Sequence, residues 1–128
     1  MKVRGFLLAV KDEPDNDLHV QMGETSAFNQ DQLVVEMPPG AEFCNARTEL
    51  VNLMREDGAR SFRRHIFNDP PQVDVTGYVF LDASHMTARR SDFCTQSGGR
   101  GIRGDVPTSP VRGIWEIHPV MRIDRVRR

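Results

Sequence analysis

The sequence contains short segments in which apolar and polar residues alternate, and this period constrains the fold more than any other feature. In Leu18–Met22, the residues Leu18, Val20 and Met22 share one face of an extended chain, and Leu33–Met37 repeats the pattern. A period of two is typical of a strand with one buried face. These segments are therefore predicted to be the second and third strands.

Three further segments are predicted to be strands. Val3–Lys11 is mainly apolar and ends at turn-forming residues, while Val73–Asp82 and Gly113–Ile123 return to alternation late in the chain. On these last two strands the faces expected to meet the core carry Val73, Val75, Val79 and Leu81, and then Trp115 and Ile117.

Between the third and fourth strands the period changes to that of a helix. Ala46, Leu50, Leu53 and Met54 recur at helical spacing. Asn45 is the expected N-terminal cap and Gly58 the expected stop. His65 follows between two predicted elements, beside two arginines, and is expected to be an exposed loop residue.

The predicted order is three strands, one helix and two strands, in a single domain spanning residues 1–128. Alternating segments favour an antiparallel barrel over a parallel sheet, and a closed barrel leaves no unpaired edge. We therefore predict a mainly β fold, a five-stranded antiparallel barrel of the oligonucleotide/oligosaccharide-binding (OB) type with a long loop between strands four and five. An open α+β sheet is the alternative.

The formal net charge of −1 conceals an uneven distribution along the chain. Residues 1–60 carry 6 basic and 11 acidic residues, whereas residues 82–128 carry 9 arginines and 5 acidic residues. Arginine suits phosphate recognition, and loop 83–112 would border the usual ligand groove of an OB barrel. An anionic ligand such as single-stranded nucleic acid would meet Arg89, Arg90, Arg100, Arg103 and the stacking residue Tyr78. The alternative is a merely solvated loop.

Three histidines each follow an acidic residue at short spacing. The pairs are Asp17 with His19, Asp82 with His85, and Glu116 with His118. Imidazole and carboxylate groups bind zinc or iron(II), and a carboxylate also orients an imidazole for general-base catalysis. These six residues are therefore candidate ligands of a divalent metal in a hydrolase or nuclease, although such pairs also brace strands without any chemistry.

Three motifs resemble those of a family of small, mostly bacterial OB-like domains. They are Asp15-Asn16-Asp17-Leu18-His19, then Val75-Thr76-Gly77 followed by Asp82 and His85, and Glu116-Ile117-His118-Pro119-Val120. The family patterns are D-x-D-x-H, V-T-G-x(4)-D-x-x-H and E-[LI]-H-P-V. The resemblance implies an OB-like fold and singles out His19, His85, Glu116 and His118. It implies no activity, and the Arg/Gly insertion after His85 departs from it.

Three functions remain open at this point: a binding module for an anionic ligand, a metal-dependent hydrolase, and an accessory domain that binds no small molecule. No segment approaches the length of a membrane span. We expect a cytoplasmic protein if Met1 is the native start, or an exported one if a signal has been removed. Cys44 and Cys94 lack metal-site spacing and are expected either to pair or to be small buried residues.

Overall fold

The computed structural model describes residues 1–27, 32–81 and 111–127, with side chains left out at 80–81 and 111–115. One α-helix, α1 (Cys44–Glu56), follows a 3-10 turn at Ala41–Phe43. The strands are β1 (Lys2–Asp12), β2 (Leu18–Gly23), β3 (Gln32–Met37), β4 (Arg64–Ile66), β5 (Gln72–Leu81) and β6 (Val111–Arg125).

Five of these strands close into a barrel in the order β1, β2, β3, β6, β5 and back to β1. The predicted OB-type barrel is confirmed. Four pairings are antiparallel, but β3 and β6 run parallel, so the barrel is mixed where antiparallel pairing throughout was predicted. Alternation within a strand reports its buried face and not the direction of its neighbour, which explains the difference. The short β4 pairs with β1 outside the closed ring.

The barrel interior takes one face of every strand in the ring. The predicted residues Leu18, Val20 and Met22 are at most 5% exposed and belong to one apolar cluster. Helix α1 contributes its predicted face to the same cluster, through Ala46, Leu50, Leu53 and Met54. Burial of these side chains stabilises the fold by about 1.5–3 kcal/mol for each large aliphatic group.

Helix α1 ends where the sequence predicts but begins differently. Asp57 is the C-cap, and Gly58 follows with φ 81°, a backbone conformation that favours glycine. At the other end Phe43 is the N-cap and makes no capping side-chain bond, while Asn45 lies inside the helix, so the predicted Asn45 cap is wrong. A 3-10 turn at Ala41–Phe43 leads directly into α1, so the helical backbone begins before Asn45. Within the described residues, no helix has the length and apolar character needed to cross a membrane.

Strand β5 departs from regular alternation around Gly77. The register between β5 and β6 shifts on both sides of Gly77. Glycine is needed there, because Ile117 Cγ2 and Pro119 O would each lie 2.5 Å from an added β-carbon. After this irregularity Val79 is 47% exposed, so its predicted place in the core is wrong. Val73 and Val75, which precede the shift, are fully buried as predicted. Val79 is opposite the core residue Ile117 in the β5–β6 register, so its exposure does not come from a change of strand face.

His65 lies on β4 and is not an exposed loop residue, which corrects the sequence prediction. Its Nε2 is 2.7 Å from Asp57 Oδ2, and both side chains are only 9% exposed. The Asp57 carboxylate also accepts hydrogen bonds from the backbone N–H groups of Asn68 and Asp69, at 2.7 and 2.9 Å. This contact ties the end of α1 to the chain that leads into β5.

Of the two cysteines, Cys44 is exposed, so the expectation that it is a small buried residue is wrong. Its Sγ lies 4.0 Å from Thr48 Oγ1, one helical turn away. Cys94 lies outside the described residues, so a pairing of the two remains a prediction.

Candidate functional site

A cluster of carboxylates and imidazoles lies on the outer face of β2, β3 and β6. On each strand the neighbouring residues Val20, Val35 and Ile117 face the core, which turns His19, Glu36 and Glu116 outward. His19 is directly opposite Glu36 in the β2–β3 register, and Val34 of β3 is opposite Glu116 of β6. The parallel β3–β6 pairing therefore brings the final strand beside the second and third. We call Glu13, Asp17, His19, Glu36, Glu116 and His118 the carboxylate–histidine cluster.

Glu36 is the centre of this cluster because its carboxylate faces both imidazoles. Its Oε1 is 2.9 Å from Nδ1 of His19, and its Oε2 is 3.2 Å from Nδ1 of His118. Glu13 adds a second carboxylate 3.4 Å from Nδ1 of His19. The ring of His19 is thus held by acidic groups at one nitrogen.

His118 has carboxylates at both ring nitrogens. Nδ1 lies 3.2 Å from Glu116 Oε1 as well as from Glu36, and Nε2 lies 3.7 Å from Asp17 Oδ2. A cis peptide bond joins His118 to Pro119. The ring is about one-quarter exposed, which makes it one of the more open parts of a largely buried cluster.

The turn between β1 and β2 positions Asp17. The Asp17 N–H donates to Asp15 Oδ1, and the Glu13 N–H donates to the Asp17 carbonyl. Arg47 of α1 then donates to the carbonyls of Asn16 and Met37, at 3.1 and 2.7 Å. The helix therefore joins the turn that carries Asp17 to the end of β3, one residue beyond Glu36.

Burial and like charge raise the proton affinity of two acids in the cluster. Burial, reinforced by the charges of Glu36 and Asp17, raises the pKa of Glu116 to about 8. Burial also raises the pKa of Asp17, with further contributions from Asp15 and Glu36 that His118 and Arg47 oppose. The Glu116 side chain is 4% exposed and thus protonated over much of the neutral range.

Three members of the cluster could share one cation after small side-chain movements. Asp17, Glu36 and His118 each offer one ligand atom, and these atoms lie within 4.8 Å of one another. Metal–ligand distances near 2.1 Å allow two ligands of one ion to be up to about 4.2 Å apart. Small side-chain rotations would therefore complete the site, and the mixed oxygen and nitrogen donors suit Mn²⁺, Fe²⁺ or Zn²⁺.

Buried polar atoms without partners lie beside the cluster on β2. Among the described residues, His19 Nε2 and both polar atoms of the Gln21 side chain have no hydrogen-bond partner. Gln21 is fully buried and His19 is 5% exposed. Each such atom costs about 1–3 kcal/mol unless something binds it.

The structure brings together four of the six predicted metal ligands: Asp17, His19, Glu116 and His118. The predicted pair of Glu116 with His118 is in contact, but within the described residues the acidic contacts of His19 are Glu13 and Glu36 instead of Asp17. The other two predicted ligands, Asp82 and His85, lie outside the described residues.

Most of the predicted anion-binding residues are not described by the structure. Arg89, Arg90, Arg100 and Arg103 lie outside the described ranges. Tyr78 is 66% exposed on β5. The side chains of Phe80, on the same strand, and of Trp115, which was predicted to face the core, are not described.

Sequence reasoning missed Glu36 as a functional candidate. The alternation of β3 places it on the polar face, but its importance depends on the pairing of β3 with β6. In the predicted OB order the third and last strands are neighbours, and this signal could have identified Glu36. Glu13 belongs to the turn-forming residues that follow the first predicted strand, a position with no signal of a functional site.

Compared with known proteins, the chain matches no family model, no curated protein and no solved structure. The family resemblance drawn from the three motifs therefore stays a prediction.

Proposed function

We propose that this chain is a divalent-metal-dependent hydrolase in which Asp17, Glu36 and His118 bind the metal. The observation that carries the proposal is the convergence of their ligand atoms to within 4.8 Å, although they come from a turn and two different strands. A divalent ion there would polarise a substrate and supply a strong nucleophile at neutral pH. It would also neutralise carboxylates that repel one another.

Glu116 is the proposed proton donor. Its side chain contacts His118 at 3.2 Å, and burial is the main cause of a pKa raised to about 8 in the metal-free protein, a cause that neutralising Glu36 and Asp17 would leave in place. A buried carboxylic acid beside a metal ligand can protonate a leaving group, and its ionised form can then accept a proton from water. Its role differs from that of Glu36, which is the proposed ligand.

The proposed substrate is anionic, with phosphate diesters of single-stranded nucleic acid as the first candidate. The carboxylate–histidine cluster alone would repel an anion, so the proposal requires the metal to bind first. Support for an anionic substrate comes from the arginine excess of residues 82–128. Arg89, Arg90, Arg100 and Arg103 are the proposed phosphate contacts.

Metal binding and hydrolysis can be tested on protein purified without a histidine tag and dialysed against EDTA. Titration with Mn²⁺, Zn²⁺ and Mg²⁺, followed by elemental analysis, should give one bound ion per chain. Hydrolysis of bis(p-nitrophenyl) phosphate or a single-stranded oligonucleotide should then depend on that ion. Asp17→Asn should lose both properties, whereas Asp69→Asn, at an exposed acid far from the cluster, should keep them. A chain that binds no ion would refute the proposal.

A second candidate function is non-hydrolytic binding of single-stranded nucleic acid. The observation that favours it is the 66% exposure of Tyr78, since an exposed aromatic ring on a barrel strand can stack on bases. Fluorescence titration with a labelled oligonucleotide at low ionic strength tests it. Tyr78→Ala should weaken binding at least about fivefold, and the affinity should fall as salt rises. Tyr78→Phe is the matched control and should retain most of the affinity. Equal affinity of the Tyr78→Ala variant and the wild-type chain would exclude this role.

A further inference from the structure

We infer that His19 Nε2 and the Gln21 carboxamide form a buried binding site for one small hydroxylic molecule, either water or the hydroxyl group of a substrate. The inference extends the proposed function, because His19 contacts the proposed metal ligand Glu36 through its other ring nitrogen, Nδ1. It rests on the burial of these unpartnered polar atoms on one strand face and not on the presence of the metal.

The position of Gln21 indicates a role in binding. Its side chain is fully buried, yet Ala9 of β1 and Val34 of β3 are opposite it in the sheet, and both are apolar and buried. Neither neighbouring side chain can bond to a carboxamide. Leucine or methionine would fill such a position without leaving a donor and an acceptor unpaired. A polar ligand accounts for glutamine at this place.

His19 lies two residues away on the same face of β2 and supplies a third unpaired polar atom. Glu36 and Glu13 both face its Nδ1, at 2.9 and 3.4 Å, so this nitrogen carries the proton in the neutral ring. Nε2 is then a hydrogen-bond acceptor, and it is buried without a partner among the described residues. An imidazole held by a carboxylate at one nitrogen and open at the other is suited to bind an O–H group.

The chemistry of these three atoms selects the ligand. The acceptor on His19 requires a donor, while Gln21 requires a group that can accept from its NH₂ or donate to its carbonyl oxygen. A hydroxyl group or a water molecule does both, whereas a carboxylate or phosphate ester offers no proton to His19. Complete burial of Gln21 also disfavours a charged ligand.

The experiment uses metal-free protein, so that its result for the His19–Gln21 site does not depend on whether the chain binds a metal. Long-range ¹H–¹⁵N spectra of histidine-labelled protein should show the Nδ1–H tautomer of His19. Water-selective rotating-frame spectra should give cross-peaks from a long-lived water to His19 Hε1 and to the Gln21 side-chain amide. Gln21→Leu should abolish the His19 cross-peak. Gln72→Leu, the same change at a half-buried position of β5, should leave it intact.

The two sources of the hydroxyl group are distinguished by adding a probe. If no bound water is observed, titration with methanol should produce a saturable shift of the His19 Nε2 resonance, which Gln21→Leu removes. Absence of both the water signal and the methanol shift would overturn the inference, and so would a Gln21→Leu variant with an unchanged His19 spectrum. The wild-type spectra alone decide the outcome if that variant does not fold.

Discussion

Oε2 of Glu36 lies 3.2 Å from Nδ1 of His118, although the two residues come from opposite halves of the chain. The parallel pairing of β3 with β6 creates this contact, and the other oxygen of the same carboxylate reaches His19 on β2. The Glu36 side chain therefore contacts residues of both strands that neighbour β3, which are β2 and β6. The carboxylate–histidine cluster depends on the pairing of β3 with both β2 and β6 and cannot form from a local segment.

Replacement of Glu36 by glutamine should weaken divalent-metal binding more than about tenfold, because even outer-shell partners of a metal site contribute 10–100-fold to affinity. The change keeps the shape of the side chain but removes its charge. Paramagnetic broadening of the His118 ring resonances by Mn²⁺ measures the effect. Glu24→Gln, at an exposed carboxylate after β2, is the matched control and should titrate like the wild type. Equal broadening in both variants would show that Glu36 is not a ligand.

Much of the barrel could be predicted because alternation reports directly which residues face the core. Leu18, Val20 and Met22 are buried together as their period requires. The same period does not report the direction of pairing, and so β3 and β6 were not predicted to run parallel. Val79 shows a second limit: it is opposite the core residue Ile117 in the β5–β6 register and yet is 47% exposed, so its position on the strand face does not by itself give its burial.

The candidate site was predicted only in part, for the same physical reason. The spacing of two residues predicted that Glu116 and His118 share one strand face, and the two side chains are in contact. Glu36 required knowledge of the strand order, and its two imidazole contacts cross between strands. Unpaired atoms such as those of Gln21 are a property of the packed structure and have no signal in the sequence.

Replacement of Asp57 by alanine should destabilise the fold by about 2 kcal/mol, since it leaves two backbone N–H groups and His65 without their charged acceptor. Burial raises the pKa of Asp57, but these donors outweigh it and the net pKa is lowered. A lowered pKa in the folded state stabilises the protein above the unfolded pKa, and this contribution is lost as the pH falls. Urea unfolding at pH 7 and pH 3 should therefore show a smaller difference between variant and wild type at pH 3. Asp69→Ala, at an exposed side chain in the same contact region, should have little effect at either pH.

Replacement of Gly77 by alanine should destabilise the barrel by about 1–3 kcal/mol, the usual cost of forcing an extra methyl group into a packed interior. The new β-carbon would lie 2.5 Å from both Ile117 Cγ2 and Pro119 O, so β5 and β6 must separate. Gly58→Ala is the control, because no atom lies within 4 Å of its added β-carbon and only its φ of 81° is unfavourable. Its expected cost is about 1 kcal/mol. Chemical denaturation of both variants measures the difference, and a Gly77→Ala variant as stable as the wild type would contradict the close approach.

Replacement of Glu116 by glutamine should remove a pH dependence of folding stability. The folded pKa of Glu116 is raised to about 8 from an ordinary value of 4.5, so between these values the folded state binds more protons than the unfolded state. The free energy of unfolding of the wild type should therefore fall as the pH rises from 5 to 8, by at most about 1.4 kcal/mol per pH unit. The Glu116→Gln variant has no proton to lose at this position and should show a flatter profile. Guanidinium unfolding at pH 5, 6, 7 and 8 measures both curves. Parallel curves would show that Glu116 is already ionised in the folded state, which would also remove it as the proposed proton donor.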